Sequence, residues 1–283
     1  MFIKLDGTQL SLKLKNKLAT QVANNKIKLL IIVSDPSDAS KIYVRNKVKY
    51  CESLNIQTEV YDLSDINDTD FFIIKMDEKI KQYSPNGVLV QLPIKQTLNT
   101  DKIIDSIPIH LDVDAFLYKK FNDLQKTKVI PCVLNAVLEL FEEYNLSFID
   151  KKILLVGNGI TSNQPIIDYF NEHNIGFELV TKENSHELVS KTKTADIVIS
   201  AVGKAKLLKD YEFKKGLIFI DIGIDKYFDL KQNKQIVCGD FDYEKIKQVA
   251  SYGTPVPGGI GPLTIYSLVK NLINLFLIQQ LNN

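Results

Sequence analysis

Pro255-Val256-Pro257-Gly258-Gly259-Ile260-Gly261-Pro262-Leu263-Thr264 packs three prolines and three glycines into ten residues, directly before a long apolar segment. Proline fixes φ and lacks a backbone donor, whereas glycine tolerates positive φ and close backbone approach, so the run reads as a shaped loop rather than a linker. Beyond it, Ile265, Leu268, Val269, Leu272, Ile273 and Phe276 recur at helical spacing, which predicts a helix entered at Pro262 or Leu263. A rigid loop at a helix N-terminus can offer free N–H groups to a ligand; a stiff turn that only closes the fold is the plainer reading.

Upstream of this loop, short apolar runs alternate with helical patterns, which predicts an α/β architecture with mainly parallel strands. Leu10, Leu14, Leu18 and Val22 mark a first helix. Strands are expected at 28–33, 56–61 and 87–91, with helices at 40–54 and around Ile73, Met76 and Ile80. After an irregular stretch from Ile107 to Ile130, a connecting helix (135–144) leads to further strands at 152–156, 176–180, 196–201 and 217–222, with a helix at 162–174. This second series has the pattern of a doubly wound, Rossmann-like nucleotide-binding sheet. A more polar segment, 226–237, reads as a hairpin. Two domains are expected: 1–130, and 131–257.

Composition narrows the function classes. The 283 residues are 45% hydrophobic and 24% charged, with 35 basic and 34 acidic side chains interspersed, so neither nucleic acid nor an anionic membrane is favoured as partner. The N-terminus lacks a signal-peptide pattern and the apolar runs read as too short to span a membrane, which places the protein in the cytoplasm. Cys51, Cys132 and Cys238, and His110, His173 and His186, are scattered, and no metal site is expected.

Three places could carry chemistry. Tyr43 and Lys47, four apart on a predicted helix, share one face; a surface lysine along a tyrosine ring is the commoner fate of such a pair. Gln91 ends an apolar strand, where ligands meet α/β sheets, although most such residues are merely solvated. Asp112 and Asp114 are separated by one residue, and either carboxylate could accept two hydrogen bonds from a heterocycle edge.

Six segments in order settle the matter: Ser40-Lys41-Ile42-Tyr43-Val44-Arg45-Asn46-Lys47-Val48-Lys49, Val90-Gln91-Leu92-Pro93, Ala195 to Lys204 (A-D-I-V-I-S-A-V-G-K), Ile220-Asp221-Ile222-Gly223, Gly239-Asp240 and the Pro/Gly loop. Together they resemble the bifunctional methylenetetrahydrofolate dehydrogenase/cyclohydrolase family over nearly the whole chain. The resemblance implies oxidation of 5,10-methylene-tetrahydrofolate with NADP or NAD, then hydrolysis to 10-formyl-tetrahydrofolate, by a homodimer. It implies that the last helix returns to complete the first domain, from residue 258 to 283. It also implies roles: Lys47 in proton transfer, Gln91 hydrogen-bonded to it, Tyr43 packed on the folate, Asp114 on the pterin, and Pro257, Gly258 and Gly259 beside the substrate. Gly157, Asn158, Gly159, Ser162, Lys182, Ala201, Val202, Gly203 and Ile224 would surround the dinucleotide, with Lys182 near a 2′-phosphate and NADP the preferred coenzyme.

The chain departs from the family pattern mainly on the dinucleotide side. Gly157-Asn158-Gly159-Ile160-Thr161-Ser162-Asn163-Gln164-Pro165 has Gly159 where the family has serine and Asn163 where it has a second glycine; asparagine is the best non-glycine residue for a left-handed backbone position, so Asn163 is expected to take that conformation at the turn into the helix. Val133, Leu134 and Ala136 interrupt the segment after Pro131-Cys132, and Ala205 and Ala115 replace a usual proline and glycine. Two readings stay open: a divergent but active bifunctional enzyme, or a decayed dinucleotide site that leaves a cyclohydrolase or a folate-binding scaffold. A generic nicotinamide dehydrogenase would leave the Tyr43, Lys47 and Gln91 segments unexplained.

Overall fold

The computed structural model describes residues 1–22, 25–35, 37–120, 129–229 and 233–281. The chain divides into a unit of residues 14–132 and 265–283 and a unit of residues 1–13 and 133–264. This differs from the expected division at the N-terminus, because the first thirteen residues cluster with the second unit. The cause is a two-residue strand too short to show periodicity: β1 (Ile3–Lys4) pairs with residues 252 and 253. Phe2 anchors it, stacking on Phe219 with centroids 6.1 Å apart.

The first unit is built on a parallel three-stranded sheet of β2 (Lys28–Val33), β3 (Gln57–Asp62) and β4 (Gly87–Gln91), in the order β3-β2-β4. Leu29 to Val33 and Val88 to Val90 are buried, as expected for continuous apolar strands in a parallel sheet covered on both faces. The helix Asp38–Glu52 precedes β3; its N-cap Ser37 accepts from Ser40 N, satisfying one of the orphan donors of the first turn. The final helix, Ile260–Leu281, starts two residues earlier than expected and carries Pro262 in its first turn, where a missing N–H costs nothing. Its 265–281 portion docks in this unit: Gln279 Nε2 donates to Asn86 O at 3.0 Å, and Asn86 Nδ2 donates to Gln279 Oε1 at 2.9 Å. This helix is long and apolar enough, by length and composition, to cross a membrane, contrary to the expectation from short apolar runs; 61% of its most apolar window is buried inside the protein.

The second unit is a parallel six-stranded sheet. It comprises β1, β5 (Ile153–Val156), β6 (Glu178–Val180), β7 (Ile197–Ser200) and β8 (Ile218–Asp221), with β9 (Asp225–Asp229) and β10 (Lys234–Cys238) forming a separate antiparallel pair before β11 (Tyr252–Gly253). The order is β1-β11-β8-β7-β5-β6. From β5 the chain moves outward to β6 and then returns to β7 on the other side, so the direction reverses between β5 and β7. Ligands of doubly wound sheets bind at the carboxyl ends of strands beside such a reversal. The expected hairpin over 226–237 corresponds to the antiparallel pair β9 and β10; residues 230–232, and 121–128 of the stretch read as irregular, lie outside the described residues.

Candidate active site

In the first unit, the sequence-selected side chains converge. Lys47, half-buried on the helix Asp38–Glu52, donates from Nζ to Gln91 Oε1 at 2.9 Å. Gln91 is buried at the carboxyl end of β4, and its Nε2 donates to the Leu92 carbonyl at 2.5 Å. That second bond fixes which end of the amide faces the lysine. Tyr43, one turn before Lys47, keeps 36% of its surface exposed.

Asp114 completes the cluster. Part of its surface stays accessible, yet dense packing around the carboxyl raises its pKa, while the charge of Lys47 and a hydrogen bond from the Cys132 thiol pull it back down. Asp112 lies deeper: Leu117 N donates to its Oδ2 at 2.8 Å, its Oδ1 has no hydrogen-bond partner, and burial pushes its carboxyl up to about 7, with the charge of Asp114 adding to the rise. Between them and Leu117, Ala115 holds φ at +58°, the left-handed conformation that accounts for glycine in the family pattern.

Sequence reading missed Asn271. It is buried on the last helix, where its Nδ2 donates to Val113 O at 2.9 Å and Ile130 O at 2.7 Å, and its Oδ1 accepts from Ile130 N at 3.2 Å. It therefore ties the segment bearing Asp114 to the one leading into Cys132. The available signal was a polar residue inside the apolar stripe of Leu268, Val269, Leu272 and Ile273.

In the second unit, most of the coenzyme-side candidates gather at the carboxyl ends of β5, β7 and β8, around the reversal. Gly157, with φ at +88°, leaves β5; a Cβ there would lie 3.0 Å from the Ala201 carbonyl. Asn158, Gly159 and Ile160 are exposed, and Ser162 Oγ donates to Gly159 O at 3.3 Å before the helix Asn163–Glu172 begins. After β7, Val202 and Gly203 are exposed, Gly203 with φ at +72°, while Ile224 follows β8. Ile160, Val202 and Ile224 keep 64%, 38% and 43% of their surface exposed, an apolar rim beside the exposed Asn158 and Lys204. Lys182 is exposed beyond β6, beside Glu183, whose carboxyl is held below the usual range chiefly by the Thr181 hydroxyl.

Asn163 differs from expectation. It does not adopt the left-handed turn for which asparagine substitutes for glycine; it is the first helical residue, fully buried, and donates from Nδ2 to Val156 O at 2.9 Å and Gly157 O at 2.8 Å. Its side chain spends its donors on the end of β5.

The Pro/Gly loop also belongs to this unit up to residue 264. Gly258, at φ +104°, accepts from Thr8 N at 3.1 Å, and a Cβ on Gly7 would lie 1.8 Å from Gly259 O. The backbone at Gly259 thus passes too close to Gly7 for a side chain on Gly7, and a Cβ on Gly259 would lie 2.6 Å from Pro255 O; Pro257 is exposed beside them.

The chain is similar to known proteins over its whole length. Residues 5–114 match the Tetrahydrofolate dehydrogenase/cyclohydrolase, catalytic domain family, and residues 131–280 its NAD(P)-binding domain. The bifunctional protein FolD of Mycoplasmoides gallisepticum is 72% identical over 282 residues, covering all of both chains. That of Hydrogenobaculum sp. is 34% identical over 96% of this chain and 98% of its own. Among solved structures, the bifunctional enzyme FolD of Campylobacter jejuni superposes with a TM-score of 0.87 at 28% identity, covering 99% of this chain and all of that one. With two domain matches in sequence order and full-length relatives well above 30% identity, the chain belongs to the tetrahydrofolate dehydrogenase/cyclohydrolase family.

Proposed function

We propose that the chain oxidises 5,10-methylene-tetrahydrofolate with NADP and hydrolyses the methenyl product to 10-formyl-tetrahydrofolate, using the first unit for the folate and the second for the coenzyme. The observation that carries this is the Lys47 Nζ to Gln91 Oε1 bond of 2.9 Å beside Asp114. These groups come from distant points in the sequence and are the ones hydrolysis requires.

Water attack on the methenyl carbon releases a proton, which Lys47, in its neutral amine form, would take and pass on. Gln91 holds the lysine nitrogen in one position, which general acid–base catalysis needs before anything else. Asp114, accessible where Asp112 is sealed, accepts the pterin N–H groups, and Tyr43 offers a half-open ring for stacking. Asp112 instead has a structural place, accepting from Leu117 N.

The residues at the carboxyl edge of the second unit suit a dinucleotide. Gly157 and Gly203 adopt backbone conformations closed to side chains, and the exposed Val202 and Ile224 give apolar contact. Gly157, Asn158, Gly159 and Ser162 would hold the phosphates, with Ala201, Val202, Gly203 and Ile224 along the nicotinamide half and Lys182 at the 2′-phosphate. NADP supplies hydride acceptance when bound; the protein supplies position. Among small ligands and macromolecules, the near-neutral charge supports the former. A cytoplasmic homodimer completes the reading, and sedimentation tests the dimer.

Purified protein mixed with methylene-tetrahydrofolate and NADP should reduce the coenzyme and accumulate 10-formyl-tetrahydrofolate. Methenyl-tetrahydrofolate should be hydrolysed without coenzyme. Failure of the first reaction with both coenzymes, alongside success of the second, reduces the assignment to a cyclohydrolase.

A further inference from the structure

The loop after β7 does not fix its own shape. Asp240, wholly buried, accepts from Ser200 Oγ at 2.6 Å and Val202 N at 2.8 Å through Oδ2, and from Lys204 N at 2.8 Å through Oδ1. Both carboxylate oxygens are therefore committed to the segment that carries Ala201, Val202 and Gly203. Asp240 is itself seated by Asp221, whose two oxygens accept from Asp240 N and Phe241 N at 3.0 Å each, while Asp221 N donates to Thr254 Oγ1 at 2.7 Å.

Two glycines make room for this pair. A Cβ on Gly223 would lie 2.3 Å from Asp240 Oδ1, and one on Gly239 would lie 2.1 Å from Asp221 Oδ2. The Ile220-Asp221-Ile222-Gly223 and Gly239-Asp240 segments are thus one interlocked unit, in which each glycine vacates the space that the other segment's carboxylate fills.

We propose that Asp240 is a positioning residue for coenzyme binding, holding the Val202 and Lys204 amides, and with them the turn at Gly203, in the shape that receives the dinucleotide. The proposal rests on the reading of residues 201–203 as coenzyme contacts. It needs a carboxylate specifically. In asparagine one oxygen becomes an NH₂ group, and whichever way the amide turns, that group faces the N–H of Val202 or Lys204, a donor against a donor.

The test compares wild type, Asp240→Asn and Ser200→Ala by calorimetric titration with NADP, steady-state kinetics of methylene-tetrahydrofolate oxidation, and amide hydrogen exchange. Asp240→Asn should weaken NADP binding by about tenfold or more, since hydrogen bonds to charged groups are the stronger kind. The KM for NADP should rise by a similar factor while kcat at saturating coenzyme falls much less, a split that a general loss of stability would not produce. Exchange at the Val202 and Lys204 amides should accelerate. Ser200→Ala keeps both backbone bonds to Asp240 and should weaken NADP binding by only about two- to fivefold.

Unchanged NADP affinity in folded Asp240→Asn overturns the proposal. If that variant does not fold, unchanged affinity in Ser200→Ala overturns it instead. Absence of binding by the wild type to NADP and NAD alike overturns the dinucleotide reading and this proposal with it, a failure recognisable because it precedes any substitution.

Discussion

The Lys47 cluster and the carboxyl edge of the six-stranded sheet reach their form by opposite means. Around Lys47 the side chains themselves would carry the proposed chemistry: an amine bonded to an amide oxygen at 2.9 Å, with a carboxylate close enough to feel its charge. At the sheet edge the working surface is backbone, and the side chains that matter lie beneath it, Asn163 on the end of β5 and Asp240 under the turn at Gly203. Substitution therefore means different things in the two places. On the proposed reading, replacing Lys47 should remove a function, whereas replacing an exposed loop residue should change little as long as the buried braces survive. On the same reading, the altered Gly157 to Pro165 segment should still allow an active dinucleotide site.

The largest test of this contrast is Lys47→Met, which keeps the apolar stem and removes the proton carrier. Methenyl hydrolysis should fall by roughly 100- to 10,000-fold with the thermal transition little changed. Hydrolysis at the wild-type rate by the folded variant would take Lys47 out of the mechanism.

Next come the two aspartates. Asp112 is sealed, and its folded-state pKa of about 7 lies above the ordinary carboxyl value. The folded state then holds the proton that the unfolded chain releases, so this residue's contribution favours folding at low pH and is lost as pH rises from about 4 to about 7. Asp112→Asn should flatten that slope, with a gain at pH 8 on the order of 2–4 kcal/mol in denaturant unfolding. A slope that persists unchanged would mean another group is responsible. Asp114→Asn should instead cost affinity for a folate analogue, on the order of tenfold or more, with a smaller loss for Asp112→Asn. The reverse ranking would exchange their roles.

A smaller effect is expected on the backbone side. Asn163→Gly restores the family's residue, yet it deletes two hydrogen bonds and a buried side chain. Stability should fall by about 1–3 kcal/mol, and NADP affinity should weaken rather than improve. Tighter binding in the glycine variant would show that the amide obstructs the coenzyme.

The sequence made the first site readable because its residues are paired by period: Tyr43 and Lys47 by one helical turn, Gln91 by the end of an apolar strand. The sheet reversal between β5 and β7 followed from strands and helices of ordinary length. What stayed hidden were connections made by burial. Nothing in the local pattern links Asp240 to Val202, or Asn271 to Val113, because those contacts depend on segments 38 and 158 residues apart. The two-residue strands β1 and β11 hid for a simpler reason, having no room for a period, and their pairing moved the first thirteen residues to the other unit. Asn163 was misread because an asparagine replacing a glycine suggests backbone conformation, while here it supplies a side-chain donor.

The central claim is that a backbone-built dinucleotide site still works in this chain despite its altered loop. Calorimetric titration of the unmodified protein with NADP and with NAD tests it most directly. Binding of NADP with a dissociation constant in roughly the micromolar range, tighter than NAD, is the expected result. Millimolar or absent binding of both coenzymes, with methenyl hydrolysis intact, would contradict it.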